Sequence, residues 1–463
     1  MKASETPIAG TTTSVNTINP TVQVQGAYGG STPSTSAAPF SGKLTLHDAI
    51  ERGLRYNLGA IGLTQAVRQS HGEMRVARSA LLPNVSANAT ETVQETNLKA
   101  LGLRFSVPIA GFTFPTVVGP FNYIDFRARL SQTVLDLTQL NNYRAADQTL
   151  RANRFSAEDA HDLVTLAVGG EYLVVVAAKA RMQSAQAQED TANALFQQTS
   201  QERTVGVVAQ VDLDRSQVEA LTQQQRFVSL ENELTKQKIN LARMTGLPPN
   251  SNFDVADVPY SPAPQINVED ALSQAFQQRW DLRSGTAQVQ AGERALAAAR
   301  AERYPSLSVT ADDGEIGTNP AQVRNTFTAV ATLRVPVWQG GRTEGDVEQA
   351  QAVLDQRRAE LEDTKGQVES DVRQAYSDLQ AAATQVEVSL KNLAVTKETL
   401  DLTRQRFEAG VTDNVEVVQA QESVASAQMD YVNSVFAHNL AKLSLARAMG
   451  RVDQNLPTFL NTP

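Results

Sequence analysis

The sequence predicts a mainly helical protein made of two copies of one unit, each of which combines a long helical hairpin with two β-strands. Three observations predict this fold class. Long stretches without proline carry apolar residues at heptad spacing, one bend motif occurs twice at a constant offset, and each half contains two stretches in which apolar and polar residues alternate. The repeat favours one body built from two halves over several independent domains in the 463 residues.

The composition excludes several classes of function. The net charge is −9 and no run of basic residues occurs, which argues against a nucleic-acid partner. The absence of cysteine excludes disulfides, thiol catalysis and lipidation at cysteine, and it suits a compartment in which free thiols are a liability. The first ten residues lack the apolar core of a signal peptide, so we expect that the signal of an exported precursor has been removed or replaced.

The chain begins with a polar segment and a broken helix. Residues 1–43 are rich in Ser, Thr, Gly, Pro and Ala, and this composition predicts a flexible N-terminal tail. Repeat 1 then extends over about 44–260. Its first element is predicted to be a helix from Thr45 to about Leu82, interrupted near Asn57–Gly59.

After this helix the helical period gives way to an alternation of apolar and polar residues. The alternation predicts strands at about 83–107 and 121–134, separated by a loop that is rich in Pro, Gly and Phe. One face of the second strand is apolar, whereas the other carries Asp125, Arg127 and Arg129. Such a strand is expected to lie between an apolar environment and water.

A helical hairpin is predicted at about 137–246. Its long arm contains an apolar run, Leu163–Ala178, for which a transmembrane helix is one interpretation. Glu171 lies in the middle of this run, and the run is shorter than the roughly 20 residues that a bilayer needs. We therefore expect a buried coiled-coil helix. The segment 247–266 contains five prolines and is predicted to be an extended connector.

Repeat 2, at about 261–452, follows the same plan. Its strands are predicted at about 305–313, which includes Asp312, and 326–337, which includes Arg334. Its helical hairpin is predicted at about 343–450. Residues 453–463 form a short, irregular C-terminal tail.

The long arm of the second hairpin carries the clearest helical pattern. Apolar or small residues recur every seven positions in two interleaved rows, as in the seam of a left-handed coiled coil. At 1.5 Å per residue this arm would be on the order of 100 Å long, which exceeds an ordinary globular domain. The rows are Val347, Leu354, Leu361, Val368, Ala375 and Ala382, and Val372, Leu379, Val386, Leu393 and Leu400.

The same residues mark the bend of each hairpin. Gly206–Val207 and Gly410–Val411 match at an offset of 204, and each glycine can adopt the left-handed conformation that ends a helix. Each hairpin closes with Leu-Ala-Arg-x-x-Gly, which ends at Gly246 and at Gly450. A second set of matches, at an offset of 222, relates the start of repeat 1 to the start of repeat 2.

The four predicted strands allow two interpretations. They could form a small sheet that packs on helices, or they could be one share of a membrane β-barrel with apolar side chains facing lipid and charged ones facing water. Four strands cannot close a barrel, because the smallest membrane barrels have about eight. The membrane interpretation therefore requires an oligomer in which each copy donates its strands.

No catalytic or cofactor-binding motif is present. The sequence lacks a phosphate-binding loop, a dinucleotide-binding fingerprint and a nucleophile elbow. The histidines are dispersed, without the paired spacing of a metal site. We therefore expect neither an enzyme nor a protein with a metal or another cofactor.

The repeat, the heptad arms and the bend motif together resemble the TolC-like outer-membrane efflux family. The most specific match is Phe407–Gly410 followed by Val415–Gln421, closed by Leu445–Arg447 and Gly450. The resemblance covers roughly residues 44–452. It identifies the chain as a candidate outer-membrane channel component of a tripartite efflux or type I secretion system in a Gram-negative cell.

The resemblance implies a homotrimer that is a passive conduit. Four strands from each protomer would form one twelve-stranded β-barrel in outer-membrane lipid, and the hairpins would form a tapering helical tunnel, an α-barrel, across the periplasm. The hairpin tips would meet a periplasmic adaptor (membrane fusion) protein, which links the channel to an inner-membrane transporter. The charged strand face would line the barrel lumen with Asp125, Arg127, Arg129, Asp312 and Arg334.

The resemblance also implies a constriction at the periplasmic end. Glu416 takes the position of the main acidic residue, and Phe407 takes that of a gate-holding aromatic residue. Two positions depart from the family pattern: Gln419 replaces a second acidic residue, and Thr412 replaces a basic one. We therefore expect a constriction whose locking network differs from that of the family, with a mild preference for cations.

Glu416 has a second interpretation, as a helix-capping carboxylate in a capping box with Asp413. In the first hairpin Asp212 corresponds to Glu416, and Asp214 lies close by. Either aspartate would add negative charge at the mouth, or would simply favour the positive end of the helix dipole.

The bends themselves are the predicted adaptor contacts. The residues concerned are Gly206, Val207, Gly410, Val411 and Asp413, and the alternative is that they are merely turns. For the whole protein, the alternative function is a soluble coiled-coil scaffold without a pore. A scaffold would have no use for four strands with a continuous apolar face.

Overall fold

The computed structural model describes most of the chain. It contains eight α-helices and six strands in the described residues, in an order that repeats. The described residues are 27–32, 40, 42–103, 115–263, 265–412, 414–450, 452, 459 and 460. The first repeat comprises β1 (Gly42–Leu44), α1 (Leu46–Tyr56), α2 (Leu58–Ser79), β2 (Asn84–Asn97), β3 (Val117–Leu135), α3 (Leu137–Thr204) and α4 (Gln210–Thr245). The rest comprises β4 (Phe253–Val255), α5 (Val268–Gln278), α6 (Trp280–Ala301), β5 (Ser306–Gly317), β6 (Arg324–Arg334), α7 (Arg342–Glu408) and α8 (Asn414–Met449).

The chain divides into two compact units. The helical unit consists of Met1–Val67, Asn153–Gly285 and Glu360–Pro463. The strand-bearing unit consists of Arg68–Ala152 and Thr286–Ala359.

In the strand-bearing unit the four long strands form one antiparallel sheet in the order β2-β3-β5-β6. The register sets which side chains share a face, because directly paired residues point the same way. Arg129 pairs with Ser86 on one side and with Asp312 on the other, and Asp312 in turn pairs with Thr328. One face of the sheet is therefore mainly polar across all four strands.

The opposite face is mainly apolar. It carries Phe126, Ala128 and Leu130 on β3, Leu307, Val309 and Ala311 on β5, and Phe327, Ala329 and Leu333 on β6. The expectation of a continuous apolar face over the four strands is wrong at one end, where Asp313 and Glu315 of β5 point the same way as Ala311. Asp313 is exposed and accepts a hydrogen bond from the Asn325 amide at 3.1 Å.

The ends of the strands differ from the predicted bounds. β2 ends at Asn97, because the Asn97 side-chain oxygen accepts the backbone N–H of Lys99 at 3.1 Å and so starts a turn. The alternation at 101–103 is therefore not a strand, and 104–107 lie outside the described residues. β3 begins earlier than predicted and β5 ends later, since each is paired over that length. β6 stops before Pro336, whose ring nitrogen carries no hydrogen to donate.

The helical unit contains a parallel pair of short strands that the sequence did not predict. β1 pairs with β4, so residues just before the first helix lie beside the connector between the repeats. The Tyr172 hydroxyl of α3 lies 3.0 Å from the Leu44 carbonyl oxygen and 2.7 Å from the Ala256 carbonyl oxygen. The Tyr172 ring is fully buried and anchors this pair on the core of the unit.

Part of the segment predicted as a flexible tail is also bound. The Tyr28 carbonyl accepts a hydrogen bond from the Asn57 amide at 2.7 Å, and the Gly30 carbonyl accepts the backbone N–H of Leu58 at 2.9 Å. Residues 27–32 therefore lie against the break between α1 and α2. Residues 1–26, 33–39 and 41 of the predicted tail lie outside the described residues.

The predicted helix break near Asn57–Gly59 is confirmed, and it recurs in repeat 2. Asn57 and Arg279 both have extended backbone angles, near φ −65° and ψ 134° for Asn57 and φ −62° and ψ 131° for Arg279. Thr45 and Asp48 form a capping box at the start of α1.

The glycine that ends each hairpin packs on one of these breaks, Gly246 on the break at Asn57 and Gly450 on the break at Arg279. Gly246 and Gly450 end α4 and α8 with φ of +70° and +85°. A Cβ added to Gly246 would lie 2.7 Å from the Tyr56 Cβ, and one added to Gly450 would lie 3.0 Å from the Arg279 nitrogen. The glycine of the Leu-Ala-Arg-x-x-Gly motif is thus required both to stop the helix and to allow its backbone to approach the helix break closely.

Within the described residues α3 is the helix whose length and apolar composition would allow it to cross a membrane. The protein itself buries 72% of the apolar window of this helix. Val164, Val168 and Val175 of this helix are fully buried in the core of the helical unit. This packing agrees with the interpretation of the run as a buried helix.

Candidate functional site at the helical bends

The first bend joins α3 to α4 through a left-handed glycine. Gly206 has φ +80°, its N–H donates to the Arg203 carbonyl at 3.0 Å, and the Val207 N–H donates to the Glu202 carbonyl at 2.9 Å. This hydrogen-bond pattern satisfies the last carbonyls of α3. Val207 is 72% exposed, so the bend presents an apolar side chain to solvent.

The second bend has the same backbone. Gly410 has φ +71°, and its N–H donates to the Phe407 carbonyl while the Val411 N–H donates to the Arg406 carbonyl, both at 2.9 Å. Val411 is 68% exposed. Asp413 lies outside the described residues, so the predicted capping box with Glu416 stays a prediction.

Glu416 forms an ion pair across the second bend that the sequence reasoning missed. Its Oε2 lies 3.3 Å from Nη1 of Arg406, and both side chains are about half exposed. The pair spans ten positions and two helices, so no helical spacing rule indicates it. At this exposure the pair contributes about 0–1 kcal/mol to stability. Its main consequence is to direct the Glu416 carboxylate towards a cation of its own hairpin.

Phe407 lines a cavity of about 440 Å³ within the helical unit. The cavity lies among α3, α7 and α8, and Phe407 is half-buried at its wall. The Thr412 hydroxyl has no hydrogen-bond partner among the described residues, and Gln419 is exposed on α8. The other lining residues are Asp190, Thr191, Ala194, Leu195, Gln198, Arg404, Glu408, Val417 and Gln421.

The predicted acidic residues of the first hairpin are paired within their own helix. Asp212 lies 3.6 Å from the Arg215 guanidinium, and Asp214 accepts a hydrogen bond from the Gln210 amide at 2.9 Å. Arg203 reaches the Gln210 amide oxygen across the bend at 3.4 Å. The first bend is therefore bridged by an Arg–Gln contact, whereas the second is bridged by an Arg–Glu ion pair.

The structure brings three of the predicted lumen residues together on the polar face of the sheet. The Arg127 guanidinium contacts Asp312 of β5 and lies 3.3 Å from Asp125 of its own strand. It also donates to the Thr326 hydroxyl of β6 at 3.2 Å. Arg129 shares this face through its pairing with Asp312, and Arg334 shares it through its pairing with Ser306. One cation thus links three neighbouring strands.

The helical unit also buries ionisable groups away from the bends. Burial raises the pKa of Glu171 to about 7 and lowers the pKa of Lys442 to about 8. The Lys442 ammonium is satisfied by Ser261, donating to its carbonyl and, at 2.8 Å, to its hydroxyl. Among the described residues no group of three or more His, Cys, Asp or Glu side chains is placed to hold a metal ion.

A family model described as "Outer membrane efflux protein" matches residues 63–247 and 271–451. The two matched segments correspond to the two repeats. The sequence matches none of the curated proteins with which it was compared.

Solved structures of outer-membrane channels share the fold. The CmeC outer membrane channel of Campylobacter jejuni superposes with a TM-score of 0.75 at 17% identity, covering 89% of this chain and 88% of that one. The outer membrane protein VceC of Vibrio cholerae gives 0.74 at 17% identity, covering 88% and 96%. The open state of the MtrE outer membrane channel of Neisseria gonorrhoeae gives 0.69 at 17% identity, covering 92% and 96%.

Proposed function

The chain belongs to the outer membrane efflux protein family, and we propose that three copies form a passive conduit across the outer membrane and the periplasm. Each copy is an outer-membrane channel component of an efflux system. The observation that carries the trimer is the four-stranded sheet, whose outer strands β2 and β6 each have one unpaired edge within the described chain. Three such sheets supply twelve strands, enough to close a barrel and to remove every open edge.

The two faces of the sheet support this assignment. The apolar face suits contact with lipid, and the polar face around Arg127 suits a water-filled lumen. Asp313 and Glu315 would then lie beyond the hydrocarbon region, at the end of the strands that is remote from the helices. A sheet packed on helices of its own chain would instead bury the apolar face, but Phe126, Phe327 and Leu333 are exposed.

We assign the periplasmic constriction to the second bend. Glu416 would line the constriction, oriented by Arg406. Phe407, at the wall of the cavity described above, would pack α7 against the neighbouring helices. Because Arg406 lies close to Glu416, the cation preference from three carboxylates is expected to be weak. Asp212 and Asp214 would add negative charge at the same end.

The exposed tips support docking of a periplasmic adaptor. Val207 and Val411 project from left-handed turns with little surrounding structure, so their burial on a partner would be favourable. Aspartate at both positions is expected to abolish co-purification with the cognate adaptor after chemical cross-linking, whereas alanine at both is expected to preserve it. The adaptor would link the channel to an inner-membrane transporter of a drug-efflux, metal-efflux or type I secretion system, which supplies the energy.

The first experiment is the protein mass of the complex extracted from outer membranes in mild detergent. A trimer of about 150 kDa, three times the 50.0 kDa of one chain, is expected. A monomer, or a protein that is soluble without detergent, would instead support the coiled-coil scaffold.

For the constriction, Glu416→Gln is expected to reduce the cation preference of single channels. Glu348→Gln, an exposed carboxylate near the other end of α7, serves as the control.

A further inference from the structure

A second cavity, of about 230 Å³, opens in the helical unit where three segments of the chain meet. Helix α3 of the first hairpin, helix α8 of the second and the connector between the repeats all line it. The walls are mainly apolar and include Val176 of α3, Val435 of α8 and Val258 of the connector. It shares no lining residue with the cavity at Phe407 near the bends. A molecule in this cavity would therefore contact both repeats at once.

The connector side of the cavity is fixed on α8. Tyr260 of the connector packs on the ring of His438 of α8, with the ring centroids 5.1 Å apart. The next residue, Ser261, accepts hydrogen bonds from the buried Lys442 ammonium at its carbonyl and, at 2.8 Å, at its hydroxyl. The aromatic rings that line the cavity are those of Tyr260, Tyr431 and Phe436. The cavity is thus formed in advance of any ligand, with aromatic walls on two of its three sides.

The cavity also has a buried polar side chain that lacks a partner. Asn439 of α8 lines it and is 3% exposed, and its Oδ1 has no hydrogen-bond partner within the described residues. Buried amide groups are nearly always hydrogen-bonded, because leaving one unpaired costs free energy. An unpaired amide at the wall of a cavity therefore indicates the point at which a polar atom of a ligand would bind.

The charges around the cavity favour a neutral ligand. Asp257 is the lining residue that carries a charge in the described part of the chain, and it already lies 3.4 Å from the Lys179 ammonium. An anion would meet this carboxylate, whereas a cation would find it paired and would lie near the buried Lys442 ammonium. His438 is neutral at pH 7, since burial lowers its pKa to about 4.

The volume limits the ligand to one substituted ring or two fused rings. An apolar cavity of about 150 Å³ takes up benzene, whereas the pockets of drug-sized ligands measure roughly 300–1,000 Å³. The 230 Å³ of this cavity lies between these two sizes. Water is a poor occupant, because a buried water molecule needs about two to four polar partners and most of the walls are apolar.

We propose that this cavity binds a small neutral phenol, with its ring among the three aromatic side chains and its hydroxyl on the Asn439 amide. A phenolic hydroxyl suits this position because it can donate to the amide oxygen and accept from the amide nitrogen. Binding would stabilise the contact of α3 with α8 and the connector, and hence the contact between the two repeats. The site lies within one chain, so the proposal goes beyond the conduit and does not depend on the trimer.

Calorimetric titration of the detergent-extracted protein with naphthol tests the site. The unmodified chain is expected to bind one molecule. Ala180→Phe, at a half-buried lining position of α3, fills the cavity with a ring and is expected to weaken binding at least tenfold. Ala187→Phe adds the same ring at an exposed position about two turns further along α3, away from the cavity, and is expected to leave the affinity unchanged. Equal affinities of the two variants, or no binding to the unmodified protein, would overturn the site.

Naphthalene, which lacks the hydroxyl, tests the hydrogen bond. Asn439→Leu is expected to lower the ratio of naphthol affinity to naphthalene affinity about fivefold, which corresponds to one neutral hydrogen bond. Uptake of the probes by detergent cancels in this comparison of two proteins. Naphthoate, the anionic analogue, is expected to bind at least tenfold more weakly than naphthol. An unchanged ratio in Asn439→Leu, or tighter binding of naphthoate, would show that the ligand is not a neutral phenol held by Asn439.

The mass and the helical circular dichroism of each variant are measured together with binding. If Ala180→Phe does not fold, Val435→Phe fills the same cavity from α8, and the same loss of naphthol binding is expected. A trimer that does not bind naphthol would overturn the phenol site and leave the proposed conduit standing. A monomer that binds naphthol would overturn the conduit and leave the site standing.

Discussion

In both repeats a break between two helices packs against the glycine that ends the hairpin, yet different side chains stabilise the two breaks. In repeat 1 the residue at the break is Asn57, which is fully buried and bonded to the Tyr28 carbonyl and to the Gly59 N–H. In repeat 2 the corresponding residue is Arg279, which is 4% exposed and paired with Asp281 at 2.6 Å and with Asp371 at 2.9 Å. A neutral hydrogen-bonded junction thus corresponds to a buried ionic one.

The neighbouring positions have changed together with these residues. The counterpart of Asp281 is Gly59, against which the Tyr28 ring packs, and the counterpart of Asp371 is Ala167. The arginine that ends the hairpin is exposed in repeat 1 as Arg243, whereas in repeat 2 Arg447 is buried and paired with Asp159. The comparison teaches that the backbone geometry of the junction is the common feature, and that charge is only one way to stabilise it.

The largest expected effect comes from removing the cation of the ionic junction. Arg279→Ala leaves two carboxylates without their main partner in a largely buried site, and we expect a loss of about 3–5 kcal/mol. Asn57→Ala, the equivalent change in repeat 1, removes two neutral hydrogen bonds and is expected to cost about 1–3 kcal/mol. Thermal loss of the helical circular dichroism signal in detergent measures both.

A transplant sharpens the same comparison. Arg279→Asn combined with Asp281→Gly installs the repeat 1 residues in repeat 2 and is expected to be less destabilising than Arg279→Ala. An Asn57→Ala variant that loses as much stability as Arg279→Ala would contradict the distinction between the two junctions.

The next effect depends on pH. Glu171 is buried and its counterpart in repeat 2 is Ala375, so only repeat 1 carries a carboxyl group at this point of the core. Burial raises the folded-state pKa of Glu171 from 4.5 to about 7. The unfolded chain therefore releases this proton more easily, and the group increasingly destabilises the fold as pH rises from about 4.5 to 7. Glu171→Gln is expected to raise stability by up to about 3 kcal/mol at pH 8 and to change little at pH 4.

Thermal melts at pH 4 and pH 8 check this expectation. Glu158→Gln, at an exposed position of the same helix, is the control and is expected to show no gain at pH 8. Equal gains for the two variants would show that Glu171 is not desolvated in the assembled protein.

A smaller effect tests the contact that both repeats share. Gly246→Ala and Gly450→Ala each place a methyl group in a left-handed turn against the helix break, at an expected cost of about 1–3 kcal/mol. Gly366→Ala is the matched control, since it lies in α7 with open space around it, and it is expected to stabilise the helix by about 0.5–1 kcal/mol. Loss of stability in only one of the two junction variants would show that the repeats are not equivalent at this contact.

The smallest expected effect on stability lies at the bends. The counterpart of Arg406 in repeat 1 is Glu202, so Arg406→Glu installs the repeat 1 residue at this position of the second bend. The exposed pair with Glu416 contributes little, and we expect a change of less than about 1 kcal/mol in unfolding free energy. The cation selectivity of single channels is expected to rise, because the constriction gains negative charge in each copy. Unchanged selectivity would remove Arg406 from the constriction.

The ends of the two helical hairpins were predicted within one or two residues because their signals are local. Heptad rows, left-handed glycines and the alternation of the strands each act over a few positions. The short β1–β4 pair was missed, since three-residue strands carry no pattern and their partner lies about 200 positions away. The ends of the long strands were misplaced for a similar reason, because pairing with a neighbour and the Asn97 side chain decide them.

The same limit applies to the site. The bend glycines followed from local rules, and both have the predicted conformation. The ion pair of Arg406 with Glu416 did not follow, because it depends on how two helices meet across a bend. The network of Arg279 joins α7 to the α5–α6 break over 92 positions. Neither contact leaves a periodic signal in the sequence, although an arginine at a helix break is unusual enough to mark the position for inspection.

The pairing of β1 with β4 affects the order in which the two repeats can fold as the chain is delivered. Both strands belong to the first 255 residues, and Tyr172, which anchors them, lies between them in sequence. The start and the finish of repeat 1 can therefore be fastened together before the residues of repeat 2 have emerged. In a polypeptide delivered from its N-terminus, repeat 1 could therefore fold before repeat 2 arrives. Only the edge of its sheet and the apolar sides of its helices would stay unpaired until then.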